Sequence, residues 1–242
     1  MLKRIGYNIN EAKGKKMKPK FYFEIQQHIF DPSDRFNYQT NQDWLDLRAD
    51  KITASIAGDL FVKGKHKTGL GSDIISTLEK RALQKYTGWI DDESISYSEK
   101  DAIKRGIVFE EEAAEWYEKH TGRSVATCGF VQRGQYLGCS PDRIVLGFDR
   151  RLLQIKVPMP QNFMKEVMAD GEKHVAQCKT ELYVCDYLIN DLVIYSPELK
   201  TGYIREIHRD PEHDKTLLSK MRVAIKYQQE LYDKIESLLK NN

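Results

Sequence analysis

The chain has 242 residues, and its 40% hydrophobic and 31% charged residues are typical of a globular protein with a sizeable core. Its net charge of +2 excludes a strongly basic field over the whole molecule, so any nucleic-acid site must be a local patch. No apolar run approaches the length of a membrane span, and the first residues lack a hydrophobic signal core. These features predict a cytoplasmic protein with no membrane contact.

The four cysteines contain no Cys-x-x-Cys pair, a spacing that disfavours a zinc or iron–sulfur site. Cys178 and Cys185 are seven residues apart on a predicted helix, too far for a disulfide. We therefore expect buried free thiols.

The N-terminal residues 1–20 are rich in lysine and lack periodicity, which predicts a solvated arm, with a phosphate-seeking tail as the alternative. Residues 21–242 are expected to form a single domain with a long C-terminal helix. The predicted helices cover 72–86, 98–120, 161–168, 174–185 and 211–240, and the predicted strands cover 124–131, 192–195 and 203–208.

Two basic segments lie before the first long helix. Arg48 precedes a short predicted helix that ends near Leu60, with Thr53 or Ser55 as its cap. The guanidinium, the hydroxyls and the free amides at the helix start suit a phosphate, but from the pattern alone an ordinary capped helix pair is the better explanation. A glycine-containing loop then carries Lys63, Lys65 and Lys67, which either follow a nucleic-acid backbone or are simply solvated.

The helix predicted over 98–120 places Glu110 on its apolar stripe, with Glu111 and Glu112 pointing outward. A buried carboxylate is costly unless a metal ion or a basic group compensates its charge. The alternative is a glutamate at the edge of the stripe whose carboxylate reaches water.

Residues 137–158 predict a β-hairpin, because two apolar, β-branched runs flank a polar turn. Asp142 lies at the head of the first run. Gln154 and Lys156 project to one side of the second run, since residues two apart share a face of a strand. A carboxylate, a polar oxygen and a lysine in one place suit a divalent metal ion and an activated water molecule.

Four separated blocks carry a resemblance to a known family. They are Trp44…Leu47-Arg48 with Ile52-Thr53-Ala54-Ser55, Gly106 with Glu110, Ser140-Pro141-Asp142 with Gln154-Ile155-Lys156-Val157-Pro158, and Ala176-Gln177. In this order and spacing, over roughly residues 40–195, the chain resembles the lambda exonuclease, or YqaJ-type, viral recombinases.

The resemblance implies an α/β fold of the PD-(D/E)xK type, with a central mixed sheet flanked by helices. It implies a Mg²⁺-dependent 5′-to-3′ exonuclease, with Mn²⁺ as a substitute, that acts on double-stranded DNA ends and makes single-stranded DNA for phage-type homologous recombination. It also implies a homotrimeric ring, a single-strand annealing protein as partner and, for a phage-encoded chain, the host cytoplasm.

By position, the resemblance assigns roles to individual residues. The metal ligands would be Glu110, Asp142, Gln154 and the Ile155 carbonyl. Lys156 would activate the attacking water, and Gln177 would orient groups around the scissile phosphate. The terminal 5′-phosphate would be bound by Arg48 and Ser55, with Thr53.

Gln154 departs from the family pattern, which has a glutamate two residues before the lysine. An amide oxygen can bind a metal ion but brings no negative charge, so the departure leaves the activity of this chain open. Three explanations fit: a substitution introduced to trap DNA, a tolerated natural variant, or a protein that binds ends without cutting. The competing functions are a non-catalytic DNA-end-binding or inhibitory module and an endonuclease of the same fold.

Overall fold

The computed structural model describes residues 25–28, 47–48, 51–87, 97–147 and 149–241, with the backbone alone described for 25–28 and 97–100. The predicted N-terminal arm and Trp44 lie outside these residues. The strands are β1 Ile25–His28, β2 Ile52–Thr53, β3 Val125–Ala126, β4 Phe130–Arg133, β5 Leu137–Cys139, β6 Arg143–Val145, β7 Arg151–Lys156, β8 Ile189–Ser196 and β9 Thr201–His208. The α-helices are α1 Ala54–Ala57, α2 Ser72–Thr87, α3 Tyr97–Thr121, α4 Pro160–Met168, α5 Val175–Cys185 and α6 Pro211–Lys240.

A five-stranded sheet in the order β3-β6-β7-β8-β9 forms the centre of the fold. Strands β7 and β8 are parallel, whereas the other neighbours are antiparallel, so the sheet is mixed. Helix α3 packs on one face through Ala113, Ala114 and Tyr117 against Leu153 and Val193. On the other face, α4 and α5 pack against Leu192 and Ile194. The predicted α/β fold, a central mixed sheet flanked by helices, is confirmed.

A second sheet, in the order β1-β4-β5-β2, holds the chain that leads into the central sheet. Its apolar residues share one core with α1, α2, α5 and α6, and Ile52, Val131 and Leu137 are buried there. Helix α5 also packs on the central sheet, so it connects the two parts. This arrangement places the end of β5 beside the start of β6.

The longest helix, α6, has the boundaries that the sequence predicts. Pro211 occupies its first turn, and the Asp210 carboxylate caps it by accepting hydrogen bonds from the main-chain N–H groups of Glu212 and His213 at 3.0 and 3.3 Å. In the part of the chain that the structure describes, no helix combines the length and apolarity needed to cross a bilayer.

Two strand predictions are wrong in detail. The strand predicted over 124–131 is divided into β3 and β4, because Gly129 adopts a left-handed φ of 78° and turns the chain from one sheet to the other. The hairpin predicted over 137–158 exists only as β6 and β7. Its first run is interrupted at Ser140 and Pro141, and β5 pairs in the smaller sheet. Proline has no N–H to continue a ladder, which favours the break.

Candidate active-site cleft

Asp142 lies where the chain passes from the smaller sheet to the central sheet, immediately before β6. Because β6 and β7 are antiparallel, with Arg143 opposite Leu153, Asp142 comes beside Gln154. The Gln154 Nε2 donates to Asp142 Oδ2 at 2.5 Å, and the Ile155 main-chain N–H donates to the same oxygen at 2.6 Å. The hairpin therefore brings together the aspartate and the glutamine that the sequence placed at one site.

A cleft of about 330 Å³ opens over this contact. One wall is α3, with Gly106 and Glu110, and the floor is the end of β7, from Gln154 to Pro158. The opposite wall carries Glu166, Lys173 and His174. Glu110, Asp142, Gln154, Ile155 and Lys156, which the sequence proposed as site residues, all line this one cleft.

The amide of Gln154 is oriented by the oxygen that it contacts. Asp142 Oδ2 accepts from both the Ile155 N–H and the Gln154 NH₂ group, so the amide turns its own oxygen away. The Gln154 Oε1 is buried and accepts no hydrogen bond within the described residues. A buried acceptor without a donor is costly, and a cation beside it would remove that cost.

Lys156 begins a chain of hydrogen bonds that runs from the cleft into the core. Its Nζ donates to Gln177 Oε1 at 3.2 Å, and Gln177 Nε2 donates to Glu181 Oε1 at 2.9 Å. The Asn190 Nδ2 donates to the second Glu181 oxygen at 2.9 Å. Lys156 and Gln177 are thus held in fixed positions by the buried carboxylate of Glu181.

The acidic groups of the cleft have perturbed pKa values. Burial, and then the nearby charge of Glu110, raise the pKa of Asp142 well above its ordinary value, although Lys156 and the Ile155 N–H oppose the shift. Burial raises the pKa of Glu181 to about 7. Burial is the largest cause of both shifts, so a cation brought close to either carboxyl group would favour its charged form.

Arg143 borders the cleft through its contacts with Glu110 and Asp142, and no role for it was predicted from the sequence. Its Nη1 donates to Glu110 Oε1 and, at 2.6 Å, to the Asp142 main-chain carbonyl, while its Nη2 donates to Glu111 Oε2 at 2.9 Å. The basic partner considered for Glu110 is therefore present. Glu111 is exposed, as expected, but its carboxylate turns back to the same guanidinium. The sequence feature that could have indicated the role of Arg143 is its position directly after Asp142.

Arg48, the arginine of the predicted phosphate socket, lies close enough to Arg81 of α2 to be affected by its charge. Burial, and then the charge of Arg81, lower the pKa of Arg48 to about 10, and burial lowers the pKa of Arg81 to about 10. Both guanidiniums remain charged at neutral pH, and Arg81 Nη1 donates a hydrogen bond to the Lys51 main-chain carbonyl. Arg48 is also within electrostatic range of Cys139, three residues before Asp142. No pattern in the sequence predicts that Arg81, on α2, lies near Arg48.

The other proposed phosphate-binding residues differ in accessibility. Thr53 is buried and its Oγ1 lies 3.1 Å from Ser55 Oγ, whereas Ser55 is exposed. Helix α1 has only four residues, so its dipole adds little to the attraction of an anion. The predicted lysine loop is exposed at Lys63, Lys65 and Lys67, and Lys67 lies 3.7 Å from Glu230 of α6.

Two further points concern metal ions and thiols. Among the described residues, no group of three or more histidine, cysteine, aspartate or glutamate side chains is arranged to hold a metal ion. The oxygens of Asp142 and the orphaned Gln154 Oε1 nevertheless suit one hard divalent cation, which binds oxygen and keeps some of its water. The four cysteines are free, as predicted.

Comparisons with known proteins agree with this geometry. Residues 43–188 match the family model of the YqaJ-like viral recombinase domain. An alkaline exonuclease from Laribacter hongkongensis, LHK-Exo, has 21% sequence identity and a TM-score of 0.63, over 82% of this chain and 100% of that one. Its complex with dAMP gives 23% identity and a TM-score of 0.65, over 83% and 97%.

A phage-related exonuclease from Haemophilus somnus 129PT has 14% identity and a TM-score of 0.64, over 76% of this chain and 96% of that one. These structures share the fold. A comparison with curated proteins gives no match. The family model covers more than half of the chain, including Glu110, Asp142, Lys156 and Gln177, and the chain therefore belongs to the YqaJ-like viral recombinase domain family.

Proposed function

We propose that this protein is a metal-dependent exonuclease that digests one strand of double-stranded DNA from a 5′ end, as a step in phage-type recombination. The observation that carries the proposal is the meeting of Asp142, Gln154 and Lys156 in one cleft, at the junction of β6 and β7. Family membership and the fold support it. A single-strand annealing protein would take up the product strand.

The metal ion would be held by Asp142, the Gln154 Oε1 and the Ile155 carbonyl. Mg²⁺ prefers such oxygen ligands, and Mn²⁺ substitutes for it at most sites of this kind. When bound, the ion would acidify water and stabilise charge on a phosphate. Glu110, expected as a further ligand, is engaged by Arg143.

Lys156 and Gln177 would act on the reacting groups directly. The Lys156 ammonium faces the cleft and would stabilise the negative charge that develops on the phosphate. Gln177, fixed by Glu181, holds the lysine and would orient the attacking water through its amide. Preorganised groups of this kind lower a reaction barrier because they need no rearrangement during the reaction.

Arg48 and Arg81 would bind the terminal 5′-phosphate, with the exposed hydroxyl of Ser55. A guanidinium offers two aligned donors to a phosphate, and two neighbouring guanidiniums repel each other until an anion lies between them. The exposed lysines Lys63, Lys65 and Lys67 would follow the duplex backbone. An end-binding pocket distinguishes an exonuclease from an endonuclease, which cuts inside a strand.

The test is digestion of linear duplexes that carry either a 5′-phosphate or a 5′-hydroxyl, with circular duplex as the control substrate. We expect Mg²⁺-dependent release of nucleotides, with a preference for the 5′-phosphate. Arg48→Ala should erase that preference, a loss of about 1.5–3 kcal/mol or roughly ten- to a hundredfold. Asp142→Ala should abolish digestion, whereas Arg150→Ala, which breaks an exposed ion pair with Asp186, should preserve both activities.

A non-catalytic end-binding module is the second candidate, because Gln154 lacks a charge and Glu110 is already paired with Arg143. Binding that prefers a 5′-phosphate without any digestion would favour this candidate. Digestion of circular duplex would favour the endonuclease instead.

A further inference from the structure

Arg143 borders the cleft and faces α3, where it contacts Glu110 and Glu111. It begins β6 opposite Leu153, and Leu153 packs against Ala113 and Ala114 of α3, so both side chains point to that helix. The Arg143 side chain is only 8% exposed. A guanidinium this buried must be matched by opposite charge, because removing one charge from water without a partner costs several kcal/mol or more.

The opposite charge comes from residues of α3. One nitrogen of Arg143 contacts both the Glu110 carboxylate and the main-chain carbonyl of Asp142, and a second nitrogen contacts Glu111 at 2.9 Å. Two carboxylates and one carbonyl thus converge on one fixed positive charge. This contact engages one oxygen of the Glu110 carboxylate and offsets the negative charge that would otherwise attract a metal ion on this side of the cleft.

The oxygens that remain are few. Asp142 Oδ2 already accepts two hydrogen bonds, which leaves Oδ1 for a cation, and the Gln154 Oε1 is the neighbouring acceptor without a partner. Glu166, on the opposite wall, is paired with Lys173 and His174. The Asp142 carboxylate, the Gln154 amide oxygen and the Ile155 carbonyl together carry a single negative charge. Two divalent ions about 4 Å apart need several anionic ligands to offset their mutual repulsion, and this cleft does not offer them while Glu110 is paired.

We propose that Arg143 is a resident cation at Glu110 and that the cleft consequently binds one divalent metal ion per chain. The guanidinium would supply the second positive charge beside the scissile phosphate. Arg143 is in this view a positioning residue that sets the metal count. The inference rests on the proposed nuclease site, but it concerns how many ions that site takes and not whether it cuts.

The experiment counts Mn²⁺ ions bound per chain, by electron paramagnetic resonance of free Mn²⁺ and by calorimetry, on the full chain without DNA. We expect one ion for the unmodified protein, up to a free concentration roughly tenfold above its Kd. Arg143→Gln should bind two, since it frees the Glu110 carboxylate, while Arg143→Lys should again bind one. The control is Arg105→Gln, on the same helix as Glu110. It removes the charge that pairs with Glu198 and should leave the number of bound ions at one.

Two ions on the unmodified protein would overturn the inference, even if Arg143→Gln failed to fold. A count of one for a folded Arg143→Gln chain would overturn it as well. A protein that binds one ion yet digests no DNA would contradict the proposed function and leave this inference standing. A protein that binds two ions and digests DNA would overturn this inference and leave the proposed function standing.

Discussion

At the scale of single residues, the contact between Gln154 and Asp142 sets the charge of the cleft. The amide donates a hydrogen bond to the carboxylate at 2.5 Å, where a glutamate would bring a second negative charge. Without a metal ion, two adjacent carboxylates repel each other, and a bound cation relieves the repulsion. The glutamine thus makes the metal-free cleft more stable at the expense of its affinity for a cation.

The substitution Gln154→Glu tests this balance. We expect the variant to have a lower Tm than the unmodified protein in chelator, and to bind Mn²⁺ about tenfold more tightly or better, because a second anionic oxygen joins the site. Digestion should become faster. Thermal unfolding with and without Mn²⁺, calorimetry and the duplex assay measure these effects.

Gln161→Glu supplies the same chemical change at an exposed position of α4 and should alter neither Tm nor affinity. A folded Gln154→Glu variant with unchanged Mn²⁺ affinity would show that position 154 does not contact the ion.

Because the Glu181 carboxyl group is buried, we expect the stability of the protein to depend on pH. Burial raises its pKa from 4.5 to about 7 against the hydrogen bond from Gln177, the charge of Lys156 and the hydrogen bond from Asn190. The folded chain therefore holds this proton over a range where the unfolded chain has released it. Its stabilising contribution is complete below about pH 4.5 and is lost as the pH rises to 7, by up to about 3 kcal/mol.

The measurement is urea unfolding in chelator between pH 5 and pH 8. We expect Glu181→Gln to flatten the decrease in the free energy of unfolding over this range. Glu212→Gln, at an exposed site on α6, should retain the slope of the unmodified protein. Identical slopes for all three proteins would mean that Glu181 is ionised throughout the range in the folded state.

The sequence predicted the residues of the candidate site better than it predicted the groups that contact them. Gln154 and Lys156 were predicted to share one side of a strand because residues two apart lie on the same face, and the hairpin pattern brought Asp142 to the same region. The pairing of Arg143 with Glu110, and the approach of Arg81 to Arg48, depend on how α3 and α2 pack on the sheets. No local pattern determines such contacts between distant segments.

At the scale of elements, β5 is the short strand that leads to Asp142, and Gly138 is its critical residue. A Cβ atom at this position would lie 2.3 Å from Phe130 Cζ and 2.9 Å from Cε1. The Phe130 ring is fully buried, so it can shift only by displacing the core around it. A side chain at position 138 would therefore strain the packing between β4 and β5.

We expect Gly138→Ala to lower the free energy of unfolding by roughly 1–3 kcal/mol, the usual cost of overpacking a core. Urea denaturation provides the measurement. Gly106→Ala is the matched control, because a Cβ atom there meets nothing within 4 Å and alanine favours a helix by about 0.5–1 kcal/mol. A Gly138→Ala protein as stable as the unmodified one would show that the ring has space to shift.

Element boundaries were predicted well where they are marked by local chemistry. Asp210 and Pro211 begin α6, and the long helices follow from periodicity alone. The transfer of the chain between two sheets at Gly129 and at Pro141 was missed, since alternation of apolar residues does not say which sheet a strand joins.

At the scale of the whole molecule, the net charge of +2 limits how strongly the protein attracts DNA over a distance. Basic groups are instead local, at Arg48, Arg81 and the exposed loop of Lys63, Lys65 and Lys67. An enzyme that stays on its substrate through many cuts needs some other means of retention. A closed ring around the duplex would provide one without a strong field.

We therefore expect a homotrimer, an assembly that the family resemblance suggested. Three chains related by a rotation that closes form a ring, and each copy then presents its cleft to the same enclosed duplex. Sedimentation equilibrium at micromolar concentration should give three times the mass of one chain, and this mass should persist when salt is raised, because the small net charge leaves little electrostatic repulsion or attraction to screen. Digestion of a long duplex in the presence of excess competitor DNA should continue on the molecule first bound. A monomer at micromolar concentration, or digestion that stops as soon as competitor is added, would contradict the ring.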